Sequence, residues 1–409
     1  MKILHTADWH LGKKLDYYSR YEEQKTVLDE ICTIADREQV DLVLVAGDLF
    51  DNFNPPVEAI ELLYATLNRL TNFGKRPVLA IAGNHDAPDR VDAPDILAKT
   101  SGILFVGKPN MTFQPFEVSG GFQITKGDCG FLEIQLPNFS YPVRIITTPF
   151  ANEHRLKTYL GADEQQGLNQ VLSASWQKLA DTYCDAAGVN LLTAHLYMNK
   201  KGGPVLEEPE GERPLKVGFA DIVYTDCIPD QIQYSALGHL HRFQNVGGAK
   251  GPVVYSSSPL CYSFSEAGQQ KMVVIVEAEP NQPVAYRPVE ICNGKELKRV
   301  TFHNLEDALD WLENNPDDLV ELTIKTPVSL SQAERKQIEK AHQGIIYLKL
   351  EVQKKKLTQE EQIEVEAKRH KSVQENFISY YKSKYNDQIP SADLLDVFKE
   401  VVALTDKEQ

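Results

Sequence analysis

Six short apolar runs, mostly with helical patterns between them, set the tightest limit on how this chain folds. They are Ile3 to Thr6, Asp41 to Ala46, Pro77 to Ala82, Arg144 to Thr148, Val189 to Thr193 and Ile232 to Leu237. A strand that is apolar on both faces must be covered on both, so the runs predict an α/β fold with helices packed over the sheet. Between Val106 and Pro142, Gly107, Gly120, Gly121, Gly127 and Gly130 separate short alternating strands. These read as hairpins and make the sheet mixed. After Pro283 the pattern becomes strand, helix, strand, helix, strand with short loops, from Leu297 to Gln353. The expected organisation is a main domain over 1–279, a small α/β domain over 280–353 and C-terminal helices over 354–409. In that last segment Thr358 and Glu361 have capping-box spacing, and Pro390-Ser391 opens a helix carrying Leu394, Leu395, Phe398, Val401 and Val402.

The polar residues just after the apolar runs are unusual. Asp8-x-His10, Gly47-Asp48, Gly83-Asn84-His85-Asp86, Ala194-His195 and Gly238-His239-x-His241 each follow a strand pattern. All five are expected at the carboxyl edge of one sheet, where open α/β sheets place their ligands. One such histidine alone is most simply a packed or surface residue. Five clusters with two Asp, an Asn and four His supply mixed oxygen and nitrogen donors for two metal ions, with no thiolate among them. Manganese is the first choice, with iron, zinc and cobalt as alternatives. The formal charge is −15, so the surface as a whole does not attract polyanions, and an anionic substrate needs a local positive site. Six cysteines without a CxxC pair suggest neither a disulfide framework nor a cysteine zinc site. The start, MKILHT, is too short in apolar residues for a signal peptide, and no run approaches a membrane span, so a cytoplasmic location is expected.

Together the DxH, GD, GNHD and GHxH strings resemble the calcineurin-like metallophosphoesterase superfamily over roughly residues 1–275. HTADWHLG, VAGDLFD, AGNHD and ALGHLHR are similar to the SbcD family, bacterial nuclease subunits of DNA repair and recombination. The resemblance implies a two-sheet metallophosphoesterase sandwich flanked by helices, a small capping domain and C-terminal helices that dock on an SbcC-like ATPase. It also implies a manganese-dependent exonuclease and endonuclease acting on duplex ends and hairpins, and a homodimer of the nuclease domain. Carried over, Asp8, His10, Asp48 and His241 hold one metal; Asp48, Asn84, His195 and His239 hold the other, with Asp48 as the bridge. Two divalent ions against two carboxylates leave such a site positive, because Asn84 is neutral. His85 is then free to protonate the leaving oxygen or stabilise the transition state, and Asp86 to orient a histidine.

Basic residues near these loops are candidate DNA contacts: Lys13, Lys14 and Arg20 after the first cluster, and Lys200 and Lys201 after His195. The alternative for each is solvated surface charge, and for Lys200 and Lys201 a flexible basic loop at the edge of the site. Asp51 stands where archaeal relatives carry a further histidine, and otherwise reads as a helix cap before Pro55-Pro56. Ser256-Ser257-Ser258-Pro259 resembles a Gly-Ser-Pro turn of the family with Ser in place of Gly. His5 reads as packing, His154 as surface and Lys354-Lys355-Lys356 as a linker. Two rival functions are weighed. A phosphatase or cyclic-nucleotide phosphodiesterase needs no extension as long as residues 242–409, and a non-catalytic scaffold is expected to have lost ligands, whereas none is missing.

Overall fold

The computed structural model describes residues 1–156, 164–208, 222–248, 251–327, 330–352, 373–385 and 388–405. Lys354-Lys355-Lys356 and the Thr358–Glu361 pair lie outside the described residues. Two mixed sheets form the body. In the first, Lys2–Thr6 pairs in parallel with Leu42–Val45, which continues to Val78–Ile81 and Ile103–Val106. On its other side Lys2–Thr6 pairs antiparallel with Lys271–Glu277, and that strand with Ala285–Ile291. The second sheet has a parallel core of Val143–Thr148, Val189–His195, Tyr234–Gly238 and Val253–Tyr255. The predicted hairpins extend it antiparallel through Phe131–Gln135, Gln123–Asp128 and Phe116–Glu117.

Alternation along each buried strand explains the layering. Leu42 and Leu44 join Ile3, Leu79 and Ile81 in a core shared with Ile145, Leu191 and Ala236 of the second sheet. Val43 and Val45 turn the other way and pack with Val27, Ile31, Leu63 and Leu67, from the helices Tyr21–Arg37 and Val57–Leu70. The helix Glu164–Tyr183 covers the second sheet through Leu172, Trp176 and Leu179. Each such side chain contributes about 1.5–3 kcal/mol by leaving water. Both faces of both sheets are thereby used, which is why the runs are continuously apolar.

A one-sheet arrangement of the five clusters is corrected by this architecture. Asp8, Asp48 and Asn84 follow strands of the first sheet, whereas His195 ends and His239 follows strands of the second. Six similar apolar runs do not say which of them share hydrogen bonds.

The 279/280 boundary also moves. Ala285–Ile291 hydrogen-bonds into the first sheet, so the small α/β part begins after Ile291. It contains the strands Leu297–Phe302, Leu319–Thr326 and Ile345–Val352 and the helices Leu305–Asn314 and Gln332–Ala341. Asn304 caps the first helix by accepting from Asp307 N at 2.8 Å.

By internal packing the chain forms two units: Met1–Ile324 with Ala333–Lys349, and Lys325–Gln332 with Leu350–Gln409. Within the second, the helices Val373–Lys384 and Ala392–Thr405 meet through stacked Phe377 and Phe398, with ring centroids 4.0 Å apart. Among the described residues no helix is long and apolar enough to cross a membrane.

Candidate metal centre

Where the parallel strands end, the chain turns sharply enough to bring their first polar side chains together. Asp8, His10, Asp48 and His239 all take positive φ angles, at 55°, 45°, 48° and 105°. Non-glycine residues rarely adopt this conformation, and its cost must be met by surrounding contacts. Those contacts are present: Asp8 N donates to Gly47 O and His10 N to Asp48 O, both at 2.9 Å. His239 N donates to Asp8 Oδ1 at 2.8 Å, joining the two sheets.

Two glycines make the close approach sterically feasible. A Cβ on Gly83 would lie 2.0 Å from Asp48 Oδ1, and one on Gly47, at φ +96°, 2.1 Å from His195 Nδ1. Gly83→Ala is therefore expected to displace the Asp48 carboxylate. Melting should show a loss of about 1–3 kcal/mol, and elemental analysis should show reduced metal content. An alanine variant with unchanged metal content would contradict this account of the loop.

The side chains converge in three buried groups: Asp8, His10 and His241; Asp48, His195 and His239; and His10, Asp51 and His85, of which Asp51 is half-buried. The hydrogen bonds reveal what the centre needs. His195 Nδ1 faces the Ala46 carbonyl at 2.8 Å, so Nδ1 carries the proton. Its Nε2 then faces two further oxygens, Asn84 Oδ1 at 2.9 Å and Asp48 Oδ2 at 3.3 Å. A cation at this point, or an added proton, reconciles these acceptors.

A similar convergence brings His10 Nε2 and His241 Nε2 to 3.0 Å. The Asp8 Oδ2, Asp48 Oδ2, Asn84 Nδ2 and His239 Nδ1 atoms are buried without hydrogen-bond partners. Buried polar atoms are rarely left so, and the donor set fits divalent metals.

The charges agree. Burial works against a charged His195, but the Asp48 carboxylate beside it raises its pKa to about 9. Burial would raise the pKa of Asp48, but His195, His10 and His85 hold it far below the carboxylate range. Burial pushes Asp8 up to about 6 against the pull of His195 and His241.

Ring orientation is fixed from behind. His241 Nδ1 lies 3.3 Å from Glu266 Oε1, and Glu266 Oε2 pairs with Lys271 at 2.5 Å. Burial opposes the Glu266 charge, but Lys271 and His241 pull its pKa down to about 2. A carboxylate behind a ligating histidine fixes its tautomer and raises its basicity.

His85, 3% exposed, donates from Nδ1 to the Asp51 carbonyl at 2.7 Å. Its backbone N donates to Asp48 Oδ1 at 2.9 Å. The side chain thus reaches the centre while its backbone holds the shared carboxylate.

Several expectations change. Asp86 orients no histidine: its carboxylate accepts from the backbone nitrogens of Leu49, Phe50 and Gly83 at 2.8–3.0 Å. It ties together the two loops that follow Asp48 and Gly83. Arg20 is fully buried, bonded to Glu23 and the Cys261 carbonyl, so it cannot meet DNA. Asp51 caps no helix. The helix it precedes starts at Val57 behind Pro56 without a side-chain cap, and the Asp51 carboxylate pairs with Lys13 at 3.1 Å. Lys14, Lys200 and Lys201 are exposed. His5 is packed against Tyr234 and the Leu237 carbonyl, and His154 is exposed. Ser257 takes a φ of 87° and keeps its turn without glycine.

Sequence reasoning missed Arg155, whose guanidinium donates to the Gly83 and Asp86 carbonyls at 2.8 Å and clamps the GNHD loop. It missed Glu266 too, although Ser263 and Glu266 have the spacing of the capping box that they form.

Residues 1–200 match the calcineurin-like phosphoesterase family. The chain is 34% identical to the SbcD subunit of the SbcCD nuclease of Bacillus subtilis, across all of this chain and 99% of that one. The chain belongs to the SbcD family. The SbcD subunits of Rhodobacter capsulatus and Staphylococcus epidermidis are 34% and 30% identical, over 76% and 80% of this chain and 76% and 75% of theirs. Family membership accounts for the length beyond the phosphoesterase match, since the Bacillus subtilis SbcD relative is matched over nearly its whole length. It also makes the chain a hydrolase of phosphoester bonds.

Proposed function

We propose that this chain is the manganese-dependent nuclease subunit of an SbcCD-like complex in the cytoplasm, hydrolysing phosphodiester bonds at DNA ends and hairpins. The convergence of His195 Nε2, Asn84 Oδ1 and Asp48 Oδ2 carries the reading, since atoms packed this closely around one nitrogen suit a cation, whose place a proton on His195 takes in its absence. Asp8, His10, Asp48 and His241 hold one ion, and Asp48, Asn84, His195 and His239 the second. Bound there, two divalent ions supply a nucleophile at neutral pH and a clamp on the attacking and leaving oxygens.

The protein's own residues do the rest. Asp48 is the shared carboxylate, its Oδ2 lying 3.3 Å from His195 Nε2 and 3.6 Å from His10 Nε2. His85, with Nδ1 committed to the Asp51 carbonyl, delivers a proton from Nε2 to the leaving 3′ oxygen. Lys13, Lys14, Lys200 and Lys201 offer local positive charge for the strand. Incubation with manganese and a labelled DNA hairpin, beside bis-nitrophenyl phosphate, tests the reading. Cleavage of the small diester with no action on DNA would favour the phosphodiesterase alternative.

Partnership is assigned to other surfaces. The helix Asp95–Thr100 leaves Ile96 and Leu97 81% and 77% exposed, an apolar face suited to a second copy of the nuclease domain. The part from Leu297 onward serves as the capping domain. The C-terminal helices expose Tyr380 and Val397, the segment between them exposes Tyr385 and Ile389, and together they serve as the dock for the ATPase.

A chain cut at Lys356 should keep metal binding and small-diester hydrolysis. It should lose co-purification with an SbcC-like ATPase and, with it, ATP-stimulated cleavage of duplex DNA, because the acidic body has little pull of its own on a polyanion. Full-strength association by the shortened chain would place the interface elsewhere.

A further inference from the structure

The two histidines of the GHxH string are backed differently. His241 rests on Glu266, which is buried and locked by Lys271. His239, itself fully buried, is backed by Glu208, whose Oε1 lies 3.0 Å from His239 Nε2. Glu208 belongs to neither sheet. It sits on the loop that leaves Met198–Asn199, just after His195, and a cavity of about 300 Å³ opens beside it, bordered by His241 and Arg242.

That loop is anchored at two points. The Tyr197 hydroxyl accepts from Leu206 N at 2.9 Å and donates to Leu206 O at 2.7 Å. Asn199 Nδ2 donates to Pro204 O at 2.7 Å. The carboxylate therefore arrives at His239 from a braced segment, with 17% of its side chain exposed.

We infer that Glu208 is a positioning residue for His239, selecting the tautomer that turns Nδ1 toward the second metal. A carboxylate only accepts, so the contact requires the proton on Nε2. The other nitrogen, Nδ1, is then a lone pair, and it is the buried atom left without a hydrogen-bond partner. Without Glu208 the ring is free to carry its proton on Nδ1, which cannot ligate. Reversing the tautomer costs no packing, so a hydrogen bond alone must decide it. The exposed Lys200 and Lys201 are carried by this same loop.

The inference rests on the two-metal reading above, and the test separates the two. Full-length wild type, Glu208→Ala and Glu208→Gln are titrated calorimetrically with Mn²⁺ alone, and the His239 tautomer is read from imidazole ¹⁵N shifts in the metal-free proteins. The expected result is two ions for wild type. In Glu208→Ala the second ion should bind ~10–100-fold more weakly, the usual effect of losing such a support, with the first unchanged. The Nε2–H preference of His239 should also disappear. Glu208→Gln retains an acceptor oxygen and should restore both the affinity and the tautomer. Unchanged affinity for both ions in Glu208→Ala, or a glutamine variant as weak as the alanine one, would overturn the inference alone. A single ion in wild type would overturn the two-metal reading and this inference with it.

Discussion

An Asp48→Asn chain is expected to bind neither metal ion tightly, with affinity reduced at least ~10²-fold at both sites and DNA cleavage reduced by ~10³ or more. No other residue is assigned to both ions. Asp48 Oδ2 stands within 3.6 Å of a histidine nitrogen from each ligand set, and its Oδ1 accepts from the backbone of His85. The amide keeps the shape but removes half the carboxylate charge of the centre, since Asp8 is the other carboxylate in the set. It also turns an NH₂ group toward an ion or toward the loop. Asn84→Ala should weaken mainly the ion held with His195. Elemental analysis after desalting, with calorimetric titration by Mn²⁺, gives the result. Two tightly held ions in the Asp48→Asn protein would refute the bridge.

His85→Ala should separate binding from chemistry. Its ring nitrogen Nδ1 is committed to the Asp51 carbonyl, and its backbone nitrogen hydrogen-bonds Asp48 Oδ1. Alanine keeps that backbone donor, so metal content should stay near wild type. Turnover of DNA, whose leaving 3′ oxygen is strongly basic, should fall by ~10² or more, the worth of a positioned proton donor. Because the loss reflects leaving-group protonation, it should shrink for a substrate whose leaving group is already a weak base. Metal content falling in step with activity would make His85 a ligand or a structural residue.

Much of this architecture was legible because a fully covered strand has an unmistakable pattern. Leu42–Val45 and Val78–Ile81 are apolar at every position, and both are buried on both faces. The convergence of the polar clusters was legible for a related reason: Asp8, Asp48, Asn84 and His195 sit where the apolar run stops and the chain must turn. The partition into two sheets was not, since hydrogen bonding between strands leaves no mark on any one run. Charged residues gave the least. Arg20 reads as a surface cation, and only Glu23, three residues on, hints at the internal ion pair that buries it. Asp86 sits among candidate ligands and reads as one of their supports. Its actual partners are backbone nitrogens, which every sequence has and none advertises. Glu208 and Arg155 are equally silent, because each acts on a loop far away in the chain.

The short turn Phe264–Glu266 has two jobs at adjacent positions. Glu266 grips His241, while Phe264 packs with Leu15, Leu297, Leu319 and Ile346 and lies edge-on to Tyr347, 5.7 Å between ring centroids. The cap that closes the turn is made by Glu266 itself, so the two residues cannot rotate independently. Tyr347 of the small α/β part is thus connected to His241 through a single short turn. By thermodynamic reciprocity, any change that the seating of the small part makes in the His241 site is matched by an equal effect of ligation there on that seating.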